Sequence, residues 1–277
     1  MTEPATPLIA FASDYGHADP FVGVCHLVLA RTAPQARVVD LVHELDAHQV
    51  LPAATALEDA IGWLPAGAVL LAVVDPGVGG DRRGVLLAAG PSDDAASRVW
   101  LVGPDNGLLL PAAQARGGVR AAWALPVPDP PAGHAATFDG RDVFAPAAAH
   151  LATHGRPSSD AEPLDPAALV TVDVPPAEVV AGRISAAVVR RDRFGNLALG
   201  VDGGALSRAG LVPGDELRVA VGSEASRGRV ATSFAGLAGG LGALPDAFGR
   251  LQVAVDRGSA AAALRADVGD RVEITRE

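Results

Sequence analysis

The sequence predicts an α/β protein in two parts: an N-terminal domain with a mostly parallel sheet, and a small C-terminal domain of antiparallel strands forming a sheet or barrel. Three observations predict it. Short β-branched apolar runs alternate with helix-period segments through the first half, a stretch rich in proline and acid follows at residues 160–176, and short strands separated by glycine-rich turns fill the rest. The chain has 277 residues, 49 % of them hydrophobic, which is ample apolar material for one substantial core or two smaller ones. We place the domains at 1–165 and 181–277, with a linker over 166–180.

The first strand is expected over Leu8–Ser13, followed by a helix over 19–31 whose Phe21, Val24, Cys25, Val28 and Leu29 share one stripe before Pro34 stops it. A second strand is expected at 38–43, then a helix over 49–64 with Val50, Ala53, Ala54, Leu57 and Ile61 on one face. Strands at 68–74 and 98–102 complete a β-α-β pattern whose sheet is covered on both faces. Residues 137–149 read as a strand-like start, a glycine turn and a helix. In the C-terminal part, strands are expected at 184–191, 197–201, 216–221, 229–233, 251–255 and 271–275, with no long helix.

Composition removes whole classes of chemistry. All 22 basic residues are arginine, so a lysine Schiff base, a lysine general base and the lysine-bearing phosphate loop are excluded. One cysteine excludes an internal disulfide and any multi-cysteine metal site. A net charge of -10 with no arginine run beyond two argues against nucleic acid as a partner. No export or membrane signal is read at the start of the chain, so a cytoplasmic location is expected.

The carboxyl ends of the strands carry the unusual residues, where ligands bind in open α/β sheets. Asp14, Tyr15, Gly16 and His17 follow the first strand; Asp75 opens a Pro-Gly-x-Gly-Gly turn after the third; Gly103, Pro104, Asp105, Asn106 and Gly107 follow the fourth. The turn after Asp75 reads either as a ligand-approach loop, with Arg82 and Arg83 returning to its mouth, or as an Asp-capped turn with a solvated arginine pair. Gly77 and Gly79 do not complete a dinucleotide fingerprint, because the third glycine position is Arg82. His43, Glu44 and His48 lack the i, i+4 spacing of zincin chemistry and read as a strand end with a polar turn; no metal is expected. Cys25 reads as a buried structural thiol, and Arg141 with Asp142 as an ion pair fixing a turn. Asp192, Phe194, Gly195 and Asn196 suit either a purine base or a β-bulge turn.

The segments SDYG, VVDPGVGGDRR, GPDNGLL, TFDGRDVFAPAAA and DRFGN occur in the order and approximate spacing of one family. From Ile9 to about Ala262 the chain resembles the S-adenosyl-L-methionine (SAM) hydroxide adenosyltransferases, or SAM hydrolases, relatives of fluorinase and chlorinase. The resemblance implies a Rossmann-like N-terminal domain, a β-barrel C-terminal domain and a homotrimer with the site between subunits. It also implies attack of water or hydroxide on the ribose C5′ of SAM, releasing adenosine and L-methionine, without a cofactor.

Carried over by matching motif, Asp14 would accept the ribose hydroxyls, and Asp75 and Arg82 would hold the nucleophilic water. Asp192 and Asn196 would hold the amino-acid part of SAM, while Phe194 and Phe248 would flank adenine; Ala247 stands where relatives often have serine. Asp139 stands where the hydrolases carry histidine, which implies either a carboxylate substituting as acid or base, or a catalytically weak SAM or adenosine binder. A 5′-halogenating relative is the other alternative. Halogenases place tyrosine at the position of Asp75, and fluorinase serine at that of Gly140, so a bare halide here would face like charge.

Overall fold

The computed structural model describes residues 6–277 apart from 93, 95, 96, 129–132 and 134, so residues 1–5, part of the stretch in which no leader was read, lie outside it. The chain divides into two compact units, Met1–Val172 and Asp173–Glu277.

In the first unit, β1 (Leu8–Ser13), α1 (Phe21–Thr32), β2 (Arg37–Val42), α2 (Val50–Ile61) and β3 (Val69–Val73) follow in the expected order. They lead into β4 (Gly84–Ala89), β5 (Val99–Pro104), α3 (Leu110–Ala115), β6 (Val119–Leu125), α4 (Ala145–His154) and β7 (Glu162–Leu164). The sheet order is β2-β1-β3-β5-β4-β6-β7. Pairing is parallel from β2 through β5, and β4 then enters antiparallel to both β5 and β6. β3 and β5 are buried along their whole length, which is why they read as unbroken apolar runs rather than alternating ones.

Helices cover both faces. Ala53, Leu57 and Ile61 of α2 pack with Ala112 and Ala113 of α3 on one side. Val22, Cys25 and Leu29 of α1 pack with Ala148 and Leu151 of α4 on the other. The α1 stripe differs from expectation at its start: Val22 turns inward, while Phe21 is 42 % exposed. Pro20 provides the fixed φ at the entry to α1.

Residues 137–138 form no strand. Instead Gly140–Phe144 makes a π-type turn, closed by the Ala145 N–H to Gly140 O, before α4 continues. Pro146 explains the change of register, because it lacks the N–H that an α-helix would donate to the carbonyl of Asp142. Also unread in the sequence were β4, β6 and β7, each of which pairs through antiparallel neighbours that no local periodicity identifies.

The second unit contains β8 (Glu178–Val180), β9 (Arg183–Arg191), β10 (Leu197–Asp202), α5 (Ala205–Arg208), β11 (Glu216–Val221) and β12 (Glu224–Val230). After these come β13 (Leu241–Pro245), β14 (Arg250–Val255), α6 (Ala260–Leu264) and β15 (Arg271–Arg276). The order is β10-β14-β13-β12-β11-β15-β9-β8, and β10 also pairs with β9, which closes a seven-stranded barrel with β8 added at its edge. All pairs are antiparallel except β12 with β13. Ile184, Val188, Leu197, Leu217, Val219, Leu251, Val253 and Ile274 fill the interior. The strand expected at 229–233 lies earlier, at Glu224–Val230, and β13 was not anticipated. Among the described residues no helix is long and apolar enough to cross a membrane.

Gly103 of β5 shows how tightly the parallel strands meet: a Cβ there would stand 2.2 Å from the backbone oxygen of Ala72. Gly103→Ala is therefore expected to cost about 1–3 kcal/mol, as overpacking against an immovable backbone does. Urea denaturation monitored by circular dichroism measures it, and an unchanged midpoint would refute this strand pairing.

Candidate active site

Parallel pairing of β1 with β3 aligns Ser13 with Val73, so the turns beginning at Asp14 and Asp75 leave the sheet side by side. The Asp14 N–H donates to Val73 O at 3.3 Å. Asp14 Oδ2 in turn accepts the His48 N–H at 2.9 Å, from a residue held at φ +64°. His48 was read only as part of a polar turn, and nothing local distinguished it.

Arg82 is the centre of the group. Its Nε lies 2.9 and 3.0 Å from the two carboxylate oxygens of Asp75, and its Nη2 donates to both Asp75 Oδ2 and Asp139 Oδ2. Side-chain exposure is 12 % for Arg82, 6 % for Asp75 and 7 % for Asp139, so these charges are largely withdrawn from water. The guanidinium also stands over the Phe144 ring, 5.3 Å from its centroid. Burial pulls the Arg82 pKa down, but the hydrogen bonds and charges of Asp75 and Asp139 outweigh it and leave the pKa raised. Arg82 is thus a permanent cation bridging two carboxylates, three formal charges that sum to one negative.

Tyr15 forms the adjoining wall. A Cβ on Gly140 would stand 2.1 Å from the Tyr15 hydroxyl, so glycine at 140 is what lets this phenol sit beside the helix start that carries Asp139. The Tyr15 ring meets Phe138 edge-on at 5.6 Å and Phe21 at 5.7 Å. Burial, reinforced by Cys25, Asp14, Asp75 and Asp139, pushes the phenol far above its usual range, so it is a neutral hydrogen-bonding group and not a base.

Arg83 corrects one expectation. It does not return to the mouth with Arg82: it donates to Asp105 Oδ2 through Nε at 3.0 Å and Nη2 at 2.6 Å, and to Ala168 O at 2.8 Å. Asp105 also accepts the Val170 N–H at 2.9 Å, so this pair anchors the segment after β7. Asn106 is structural as well, donating to Val74 O and accepting from the Leu108 N–H. Arg141 and Asp142 form the expected bidentate pair at 2.7 Å. Cys25 is buried and its thiol is pushed up to about 12, mainly by burial, which bears out a structural role.

In the second unit, Asp192 and Asn196 are brought together by one turn. Asp192 Oδ1 accepts the N–H groups of Phe194 and Asn196 at 2.9 Å, and Oδ2 accepts Asn196 Nδ2 at 2.8 Å. With its amide nitrogen so engaged, Asn196 presents its carbonyl oxygen as an acceptor. Phe194 and Asn196 line a hollow of about 680 Å³ together with Phe234, Val255, Arg257 and Ser259. Phe234, Arg257 and Ser259 were not singled out from the sequence. Phe248 is not among the lining residues; it sits on the β13–β14 turn, its N–H donating to Asp246, and is 52 % exposed.

Paired carboxylates on a buried guanidinium at the strand ends of an α/β unit, with a closed barrel carrying an aromatic-lined hollow, define a two-domain enzyme acting on a small molecule. The chain belongs to the SAM hydroxide adenosyltransferase family: residues 9–160 match its N-terminal domain and residues 186–273 its C-terminal domain. It is 45 % identical over 272 residues to an (R)-S-adenosyl-L-methionine hydrolase from Salinispora tropica, covering 98 % of each chain. A fluorinase from an Actinoplanes species is 27 % identical, with 79 % of this chain and 80 % of that one covered. Among solved structures, an uncharacterized conserved protein from Thermotoga maritima shares the fold with a TM-score of 0.86 and 30 % identity, covering 97 % of this chain and all of that one. The fold class expected from the sequence, α/β followed by a small β-barrel, is thereby borne out.

Tyr15 is the chain's one tyrosine, so its ionisation can be followed alone. A raised native pKa gives stability that is full below the unfolded value of about 10 and lost as pH rises towards the native one. Tyrosinate absorbance is therefore expected to be absent from the native protein above pH 10, about where an exposed phenol is half ionised, and to appear with unfolding. Ionisation near pH 10 in the folded protein would contradict the packing described.

Proposed function

We propose that this chain hydrolyses SAM to adenosine and L-methionine by attack of water at the ribose C5′. The observation that carries this reading is the Arg82 bridge between Asp75 and Asp139. A new C–O bond forms at C5′ as the C5′–S bond breaks, and the sulfonium leaves as neutral methionine sulfur. The proton lost by water passes to a carboxylate and then to solvent. Because Arg82 keeps its charge, it stabilises hydroxide character while Asp75 or Asp139 takes the proton. No cofactor is needed, since the leaving group already carries the positive charge that drives its departure.

The net charge selects the nucleophile. One uncompensated negative charge at about 4 Å, with an effective dielectric near 20, costs a halide on the order of 4 kcal/mol, nearly three decades in affinity. Neutral water suffers no such repulsion, and the cationic sulfonium is attracted. Asp14, held through Oδ2 by the His48 amide, is set to accept the ribose hydroxyls. Asn196 Oδ1 takes the methionine ammonium, with Asp192 fixing the amide, and Phe194 offers an aromatic face to adenine. Since "L" already specifies the α-carbon, the "(R)" in the relative's name designates the sulfonium, and we assign the same preference here. We also assign a homotrimer; sedimentation equilibrium should return three times the chain mass, and a monomer would refute that assignment.

The defining experiment is turnover of SAM in ¹⁸O-labelled water with fluoride or chloride present. Adenosine carrying label at its 5′-oxygen is expected, with no 5′-halo-adenosine. Asp75→Asn should lower kcat by about 10²–10⁴-fold, as loss of a positioned proton acceptor does. Asp139→Asn should do likewise if the carboxylate acts where relatives use histidine. Unlabelled adenosine, a halogenated nucleoside or undiminished turnover in both variants would each defeat the mechanism.

A further inference from the structure

A second polar cluster lies on the α1 side of the sheet, outside the group around Arg82. His26 projects from α1, Asp40 from β2, and His43 follows the end of β2. Asp40 Oδ1 lies 2.8 Å from His26 Nε2 and 3.0 Å from His43 Nε2, and the three candidate ligand atoms lie within 4.8 Å of one another. The three side chains come from two elements and a turn that only folding brings together. Phe11 lies beneath two of them, with its ring 4.5 Å from that of His43 and 6.0 Å from that of His26.

His43 is the informative member. Its side chain is fully buried, yet Nε2 has no hydrogen-bond partner, because the nearby Asp40 oxygen lies off the line that a hydrogen bond requires. A buried polar nitrogen left unpaired is costly, and in a native site it points to a group it was shaped to meet. Its other nitrogen, Nδ1, is 2.7 Å from Ser13 Oγ. In the tautomer whose Nδ1–H donates to that hydroxyl, Nε2 keeps a free lone pair 3.0 Å from an Asp40 oxygen. Two electron-rich atoms 3.0 Å apart, neither donating to the other, are reconciled by a cation that both can reach.

We propose that His26, Asp40 and His43 form a binding site for a divalent transition-metal ion of the zinc type, ligated by the two imidazole Nε2 atoms and an Asp40 oxygen. Two imidazoles and one carboxylate form a donor set that zinc accepts, with the fourth position left to water. Ligand atoms about 2.0–2.1 Å from a tetrahedral ion lie about 3.3 Å apart, so each Asp40 contact, now 2.8 and 3.0 Å, opens by a few tenths of an ångström. The half-exposed His26 and Asp40, with side chains 34 % and 42 % exposed, can make that adjustment and provide the entry path, while buried His43 is the fixed anchor. Ser13 is the outer partner that holds the His43 ring, as ligating histidines commonly have. The Gly16 N–H donates to His43 O at 2.6 Å, so the ion would tie down the turn that begins at Asp14.

Chelator-treated protein titrated calorimetrically with zinc chloride should bind one ion per chain, raise its melting temperature with zinc concentration, and give the intense visible bands of tetrahedral cobalt when cobalt(II) replaces zinc. His26→Asn and Asp40→Asn each alter a partly exposed side chain and should fold, keep SAM turnover and lose zinc affinity by more than tenfold. Ser13→Ala should weaken binding by about 10–100-fold. Absence of a one-to-one event, or affinity unchanged in either His26→Asn or Asp40→Asn, overturns the proposal.

Discussion

The bridge from Arg82 to Asp75 and Asp139 is the constraint around which the N-terminal unit is arranged. Two carboxylates this far withdrawn from water would repel one another without a cation between them. Arginine suits the position because its planar fork reaches two acceptors at once and keeps its charge when partly buried. Several features follow from holding it there. Asp75 must end a central strand, the glycine turn must bring Arg82 back over it, and the helix start carrying Asp139 must come close enough to share Nη2. The π-type turn before α4 and the missing side chain at Gly140 permit that approach, and the Tyr15 phenol fills the remaining space.

The same bridge bears on the choice of nucleophile. A group with a net negative charge favours a sulfonium substrate and an uncharged nucleophile that gives up a proton, whereas a halide needs the opposite balance. Here Asp139 stands where the sequence resemblance places histidine, and it contacts the same guanidinium as Asp75 rather than standing apart. That substitution alters the proton inventory of the site without removing a partner from Arg82. The barrel carries a different kind of surface, aromatic and amide-bearing with Arg257 as its cation, and Asp192 is spent on orienting Asn196.

Much of this was legible locally. The first three strands and two helices followed from periodicity, because apolar spacing within one element records which face is buried. The motif residues Asp14, Asp75, Arg82 and Asp139 were also visible, as were the bidentate Arg141–Asp142 pair and the buried thiol of Cys25. What escaped was set by pairing between distant segments. β4 and β6 are antiparallel insertions whose sequences resemble any short apolar run, β13 depends on barrel closure, and Phe234, Arg257 and Ser259 become neighbours of Phe194 only through that closure. Phe21 read as a core residue and is instead part of an aromatic edge with Tyr15 and Phe138.

By itself, the sequence determined the strand–helix alternation of the first three strands and two helices, the family, and a chemistry without lysine in which every basic side chain apart from histidine is an arginine of fixed charge. The tertiary structure decided which arginine joins Asp75 and Asp139. Arg82 and Arg83 are adjacent and chemically identical, but consecutive side chains entering β4 leave on opposite faces of the sheet. One meets Phe144 and the carboxylates of Asp75 and Asp139, the latter 57 residues away; the other meets Asp105 and Ala168. Composition and motif treat the two alike, since the partners that distinguish them are set by long-range packing.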